Sequence, residues 1–161
     1  MKKIIIAGFA VAVLSLSSCC GNAAKCDGDT AVQCDSVCDT RTCFQATPDE
    51  IAGIKKALGY YTEAAVKGDS KIAMQGFAPA ATMSYAESDS LVTVPIKALY
   101  DYYDRTGPHD ASYKISDCSV AGKVAMVRIE SKFGEYEFTD MFTLVKDGSE
   151  WKIVSKVYQT K

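Results

Sequence analysis

Histidine is nearly absent from this sequence, and the C-x-x-C spacing of cysteines does not occur in it. His109 is the only histidine, and none of the seven cysteines stand in a C-x-x-C pair. Zinc knuckles use such pairs, often with histidine, and thioredoxin-like centres use them for redox chemistry. We therefore predict no metal site, no redox centre and no cofactor.

An excess of positive charge is also missing. Lysine and arginine total 18 against 20 aspartate and glutamate residues, which gives a net charge of −2. Nucleic-acid-binding domains carry a basic patch or stripe that neutralises phosphates. The composition therefore argues against nucleic acid as a partner.

Apolar runs stay shorter than the roughly 20 residues that span a membrane. Residues 4–16 (IIIAGFAVAVLSL) follow Met1-Lys2-Lys3 and have the length and charge of an export signal. Residues 16–19 (LSSC) resemble a bacterial lipobox; an ordinary cleaved signal with an incidental cysteine is the alternative. We predict a signal peptide over residues 1–18 and a lipid on Cys19. The lipid would anchor the protein to a membrane of the bacterial cell envelope.

Cysteines crowd the polar stretch that follows. Residues 19–47 hold few large apolar side chains, so we predict a flexible tether that forms no core of its own. Disulfides persist in the oxidising compartments that exported chains meet. Six cysteines allow 15 pairings, and the sequence leaves them all open. These cysteines are Cys20, Cys26, Cys34, Cys38, Cys43 and Cys118.

Residues 48–161 show the pattern of one folded domain that begins with helices. Thr47-Pro48-Asp49-Glu50 is a capping box with proline at the first helical position. Gly68 is placed to end that helix. We then predict a short helix capped at residue 69 or 70, a hairpin turning near residues 87–90, and a third helix starting at Pro95.

Strand-like runs rich in β-branched and aromatic residues make up the rest of the domain. They occupy residues 112–120, 123–133, 135–147 and 150–159. Asp147-Gly148, between the last two, is typical of a hairpin turn. Helices followed by antiparallel strands predict an α+β fold, with about three helices packed on a curved, mostly antiparallel sheet.

Three segments of the domain resemble a known family. They are residues 64–69 (AAVKGD), 77–81 (FAPAA) and 138–156 (FTDMFTLVKDGSEWKIVSK). They are similar to the nuclear transport factor 2-like, cystatin-like superfamily, and in particular to its putative lumazine-binding branch. The resemblance covers about residues 51–158 and implies a cone-shaped domain that encloses a pocket. Isomerases of this superfamily use a pocket aspartate as base. The branch that these segments resemble is non-enzymatic, which implies a structural or ligand-binding role for such an aspartate here.

Asp140 is the unusual residue of the final hairpin. It shares one strand face with Phe138 and Phe142, and a turn at Asp147-Gly148 places it opposite Ser155. A buried charge without partners is costly, so Asp140 either accepts structural hydrogen bonds or contacts a ligand. The sequence offers no second convincing buried ionisable group to act with it.

Aromatic side chains at core-facing positions provide the other pocket candidates. Their spacing is also that of an ordinary core, although tyrosine hydroxyls turned toward a cavity could bind a planar ligand. The pocket candidates are Tyr61, Tyr85, Tyr100, Tyr103, Phe138, Asp140, Phe142 and Trp151. His109 is predicted in a solvated turn, and Cys118 as a small apolar side chain in a strand.

Two functions remain open from the sequence. The first is a non-catalytic module that binds an unknown small molecule or protein and could form a homodimer through its sheet. The second is an isomerase- or dehydratase-like enzyme with Asp140 as general base and a tyrosine as proton donor. The lack of an evident acid–base partner for Asp140 favours the first.

Overall fold

The computed structural model of the chain describes residues 46–161. The predicted signal peptide, the lipidated Cys19 and the cysteines up to Cys43 lie outside the described residues. None of the helices in residues 46–161 combines the length and hydropathy that crossing a bilayer requires.

Two helices open the domain and a third follows the first hairpin, as the sequence predicts. Thr47 Oγ1 accepts a hydrogen bond from the Glu50 backbone N–H, and the Thr47 backbone N–H donates to the Glu50 carboxylate, so the predicted capping box is confirmed. Gly68 ends the first helix with φ of 63°, a left-handed conformation that glycine adopts at little cost. The third helix starts two residues later than predicted, because Pro95 ends a strand instead. The helices are α1 (Pro48–Lys67), α2 (Ser70–Ala73) and α3 (Lys97–Thr106).

Six strands form one sheet in the order β2-β1-β6-β5-β4-β3. All neighbouring strands are antiparallel except β1 and β6, which run parallel. The predicted α+β class is therefore confirmed, with helices on one face of a mostly antiparallel sheet. The strands are β1 (Phe77–Glu87), β2 (Ser90–Pro95), β3 (Ala111–Ala121), β4 (Val124–Phe133), β5 (Tyr136–Asp147) and β6 (Glu150–Thr160).

The core lies between α1 and the inner face of the sheet. Ile54 and Leu58 of α1 are fully buried, as are Ile129 of β4 and Leu144 of β5. Burying one such side chain contributes roughly 1.5–3 kcal/mol. The alternating burial along β4 and β5 gives each strand one core face, which is the basis for placing the candidate site residues.

Trp151 packs on the outer end of this core, where α1 comes close to β6. A Cβ added to Gly53 would lie 2.7 Å from Trp151 Cδ1, so only glycine leaves room for the indole. Trp151 is consequently a packing residue between helix and sheet.

A β-bulge interrupts the pairing of β5 with β6. Leu144 pairs with Ile153 and Thr143 pairs with Ser155, which leaves Val154 as an extra residue on β6. A bulge of one residue reverses which side chains face inward beyond it. Between the turn and the bulge, Ile153 is buried, as simple alternation from Trp151 predicts.

The predicted register is wrong along the whole hairpin. Asp147 pairs with Glu150, so the turn is Gly148-Ser149 and not Asp147-Gly148, which shifts the pairing by two residues. The bulge adds one more, so Asp140 lies opposite Tyr158 rather than Ser155. Alternation without a bulge would turn Val157 inward, yet Val157 is exposed and Lys156 is buried. The prediction of no second buried ionisable group is also wrong, because Lys156 is one.

Candidate functional site

An open cavity of about 460 Å³ lies between α1, α3 and the inner face of the sheet. Aromatic rings form most of its wall, and Met83, Ala98 and Leu99 add aliphatic surface. The aromatic residues are Tyr61, Tyr102, Tyr103, Phe133, Tyr136, Phe138 and Tyr158. A cavity of this size and lining suits a small, largely apolar ligand.

Two cations line the cavity, and no carboxylate does. Arg105 lies on α3, with its guanidinium carbon 6.0 Å from the centroid of the Tyr102 ring. Lys156 lies on β6, with Nζ 3.8 Å from the centroid of the Tyr158 ring, within cation–π distance. The charge on the cavity wall is therefore positive.

Lys156 is held in a buried ion pair with Asp140. Lys156 Nζ lies 2.7 Å from Asp140 Oδ1, and both side chains are almost completely inaccessible to solvent. Ser131 on β4 donates a hydrogen bond to the other carboxylate oxygen of Asp140. These two partners supply the compensation that a buried carboxylate requires. Asp140 thus stands behind Lys156, away from the cavity wall.

Burial and the Asp140 charge shift the pKa values of the groups around the pair. Burial lowers the pKa of Lys156, and the neighbouring carboxylate opposes that shift. Burial raises the pKa of Tyr61 and of Tyr103 well above the usual range, and the Asp140 charge adds to both shifts. Both hydroxyls therefore stay protonated, and Tyr103 donates its own to the Tyr61 carbonyl oxygen at 3.1 Å.

Three of the residues predicted from the sequence line this cavity: Tyr61, Tyr103 and Phe138. Asp140 contacts it only through Lys156. Phe142 lies deeper in the core, where its ring packs on Tyr61 with centroids 5.4 Å apart.

The remaining predicted residues lie elsewhere. Tyr85 on β1 packs at a tilt against Tyr158 from outside the cavity, with ring centroids 5.1 Å apart. Tyr100 packs edge-on against Phe77. Trp151 lies against Gly53, so the structure does not bring these three candidates together.

Sequence reasoning missed the charged residues of the cavity, Lys156 and Arg105. The signal for Lys156 was indirect. An acid on an apolar strand face needs a cation within reach, and Lys156 follows directly after Ser155, the predicted partner of Asp140. Arg105 carries no comparable signal, because it resembles any solvated arginine in the last turn of a helix.

His109 and Cys118 stay outside the cavity. The His109 ring packs against Tyr102 and Phe133, two lining residues, and its Nδ1 lies 3.0 Å from the Gly107 carbonyl oxygen. Its Nε2 is buried, so the prediction of a solvated turn residue is only partly right. Cys118 lies half-buried on β3, where burial raises the pKa of its thiol.

The sequence and the fold of this domain are similar to those of known proteins. A family model described as "Putative lumazine-binding" matches residues 49–159. The chain belongs to this family. A nuclear transport factor 2-like protein of unknown function from Shewanella baltica is 32% identical, with a TM-score of 0.65. The match covers 73% of this chain and 98% of that one.

Two further similarities extend the family assignment. A nuclear transport factor 2-like protein of unknown function from Methylobacillus flagellatus is 31% identical, with a TM-score of 0.66, over 73% of this chain and 97% of that one. A protein from a Cladobotryum species named aldolase FrzH is 28% identical over 103 residues, which is 62% of this chain and 82% of the relative. The nuclear transport factor 2-like fold of this family member is thus shown by sequence and by structure.

Proposed function

We propose that this domain binds a small, planar, largely apolar molecule whose anionic or carbonyl oxygen meets Lys156. The observation that carries the proposal is a buried lysine at the wall of an otherwise mostly aromatic cavity. Aromatic walls bind planar rings through stacking and edge contacts. The family description names lumazine, whose planar ring and carbonyl oxygens match the stacking surfaces and the Lys156 contact, although lumazine is more polar than the lining.

Isothermal titration calorimetry tests this proposal with two probes, 2-naphthoate and naphthalene-2-methanol. We expect both to bind, the anion more tightly because Lys156 and Arg105 attract its carboxylate. Phe138→Ala is expected to weaken both about tenfold, since one aromatic contact contributes roughly 1 kcal/mol or slightly more.

The control is Leu91→Ala, because Leu91 is an exposed apolar side chain on β2 away from the cavity. This variant should bind both probes as the wild type does. Absence of saturable binding for both probes, or equal affinities in wild type and Phe138→Ala, would contradict the proposal.

A catalytic role is the second candidate, and two observations favour it. A relative is named an aldolase, and Lys156 places an amine beside a carboxylate at the cavity wall. The isomerase- or dehydratase-like alternative, with Asp140 as general base and a tyrosine as proton donor, fits this arrangement less well. Ser131 and Lys156 already occupy the Asp140 carboxylate, so a substrate would meet Lys156 first.

The location of the domain is part of the same proposal. Residues 16–19 favour acylation at Cys19 and attachment to an envelope membrane. Cys19→Ser is expected to move the protein into the soluble fraction after cell lysis, whereas the neighbouring Cys20→Ser should leave it membrane-bound. Equal membrane retention of the two variants would reject the lipobox.

We also propose that two copies of the domain pair through the outer faces of their sheets. Met126, Met141 and Val157 are exposed apolar residues on the adjacent strands β4, β5 and β6. Val124 and Val145, paired across β4 and β5, extend this surface. It faces away from the cavity, so pairing of two copies there would leave the binding site open.

A further inference from the structure

Lys156 combines three features that a nucleophilic amine needs. It lines the cavity, so a bound molecule would lie next to its side chain. Its Nζ lies 2.7 Å from a buried carboxylate oxygen that can accept a proton. The rings of Tyr61 and Tyr158 lie 5.7 Å and 3.8 Å from Nζ, which limits the water around it.

We propose that Lys156 forms a covalent iminium with an aldehyde or ketone bound in the cavity. This inference rests on the proposed binding function, because the carbonyl compound must first occupy the space beside Nζ. Lysine amines in apolar surroundings are established nucleophiles toward carbonyl carbon.

The proton inventory of this step balances within the residues present. The Lys156 ammonium gives one proton to Asp140, and the free amine attacks the carbonyl carbon. A C–N bond forms, the carbonyl π bond breaks, and a proton moves from nitrogen to oxygen to give a carbinolamine. The hydroxyl then leaves as water with the proton that Asp140 returns. The product is an iminium on Lys156 beside the Asp140 carboxylate, so the net charge of the pair is unchanged.

The surroundings of Lys156 favour this reaction over reaction at other lysines. Burial lowers the pKa of Lys156, which raises the fraction of neutral amine. Lys152 lies on the same strand and is a matched comparison. Its Nζ donates to the Gln75 carbonyl oxygen and to Glu150, and it does not line the aromatic cavity.

Reductive trapping tests the proposal on the full-length protein. The protein is incubated with limiting 2-naphthaldehyde and sodium cyanoborohydride, then analysed by intact mass and peptide mapping. We expect one adduct, with the mass of the aldehyde less one oxygen atom, at several-fold higher occupancy on Lys156 than on Lys152. Lys152→Arg should be labelled like the wild type, and Lys156→Arg, which keeps the cation beside Asp140, should lose the adduct.

The outcomes separate this proposal from the binding function. If naphthalene-2-methanol binds but the wild type carries no more adduct on Lys156 than on Lys152, the iminium is rejected and the binding function stands. If the alcohol does not bind and no adduct forms, both proposals fail. If Lys156→Arg does not fold, as judged by near-ultraviolet circular dichroism, peptide mapping of the wild type decides alone.

Discussion

Replacing Asp140 with alanine is expected to lower the free energy of unfolding by roughly 3–5 kcal/mol. The substitution leaves the Lys156 ammonium buried without its counter-charge and removes the acceptor of the Ser131 hydroxyl. A buried charge that loses its partner costs far more than an exposed one. Urea unfolding of wild type and Asp140→Ala at neutral pH measures the difference.

Two comparisons identify the buried charge as the cause. Asp101→Ala breaks the exposed ion pair with Lys97 and should change the free energy of unfolding far less. The double variant Asp140→Leu with Lys156→Met removes both charges. It should lose much less stability than Asp140→Ala, with a residual cost of about 1 kcal/mol for the unpaired Ser131 hydroxyl. A double variant as unstable as Asp140→Ala would show that packing, and not charge, is responsible.

Raising the pH above about 10.5 is expected to destabilise the domain steeply. Tyr61 and Tyr103 have folded-state pKa values well above the unfolded value near 10. The unfolded chain therefore loses their protons first, and each tyrosine lowers the free energy of unfolding by about 1.4 kcal/mol per pH unit. The ionisation of Lys156 makes the free energy of unfolding rise with pH, because its folded-state pKa is lowered. This rise ends at the pKa of lysine in the unfolded chain. Above pH 10.5 that contribution is constant, and the tyrosines determine the slope.

Urea unfolding at several pH values between 9 and 11.5 measures this slope. Tyr103→Phe removes one buried hydroxyl and should reduce the alkaline slope by about 1.4 kcal/mol per pH unit. Tyr61 still contributes, as do Tyr100, Tyr113 and Tyr158, whose pKa values burial also raises. Leu91→Ala is the control, since it removes an exposed side chain without a titratable group and should leave the slope unchanged. Equal slopes in wild type and Tyr103→Phe would contradict the explanation.

The helices and strands could be predicted from the sequence because local chemistry determines them. The capping box at Thr47, the left-handed glycine at Gly68 and the turn that contains Gly148 each depend on a few adjacent residues. The alternating pattern of β5 likewise placed Phe138, Asp140 and Phe142 on one face, as the structure shows.

The candidate site could be predicted only in part because it depends on long-range pairing. Val154 forms a bulge that no local signal marks, and simple alternation favours Val157 over Lys156 as the inward residue. Tyr102 and Arg105 enter the cavity wall only through the way α3 packs against the sheet. The sequence therefore identified the buried acid, Asp140, without identifying the lysine that the ligand would meet.

The position of β6 bears on when the domain can fold as the chain is synthesised. β1 and β2 form one antiparallel ribbon and β3 to β5 form another, and β6 joins them although it follows both in the chain. A ribosome therefore releases both halves of the sheet before the strand that connects them. Until β6 emerges, Asp140 also lacks Lys156, so a nascent chain cannot close the domain early. Export is proposed for this protein, and a chain that must cross a membrane before it folds would benefit from that delay.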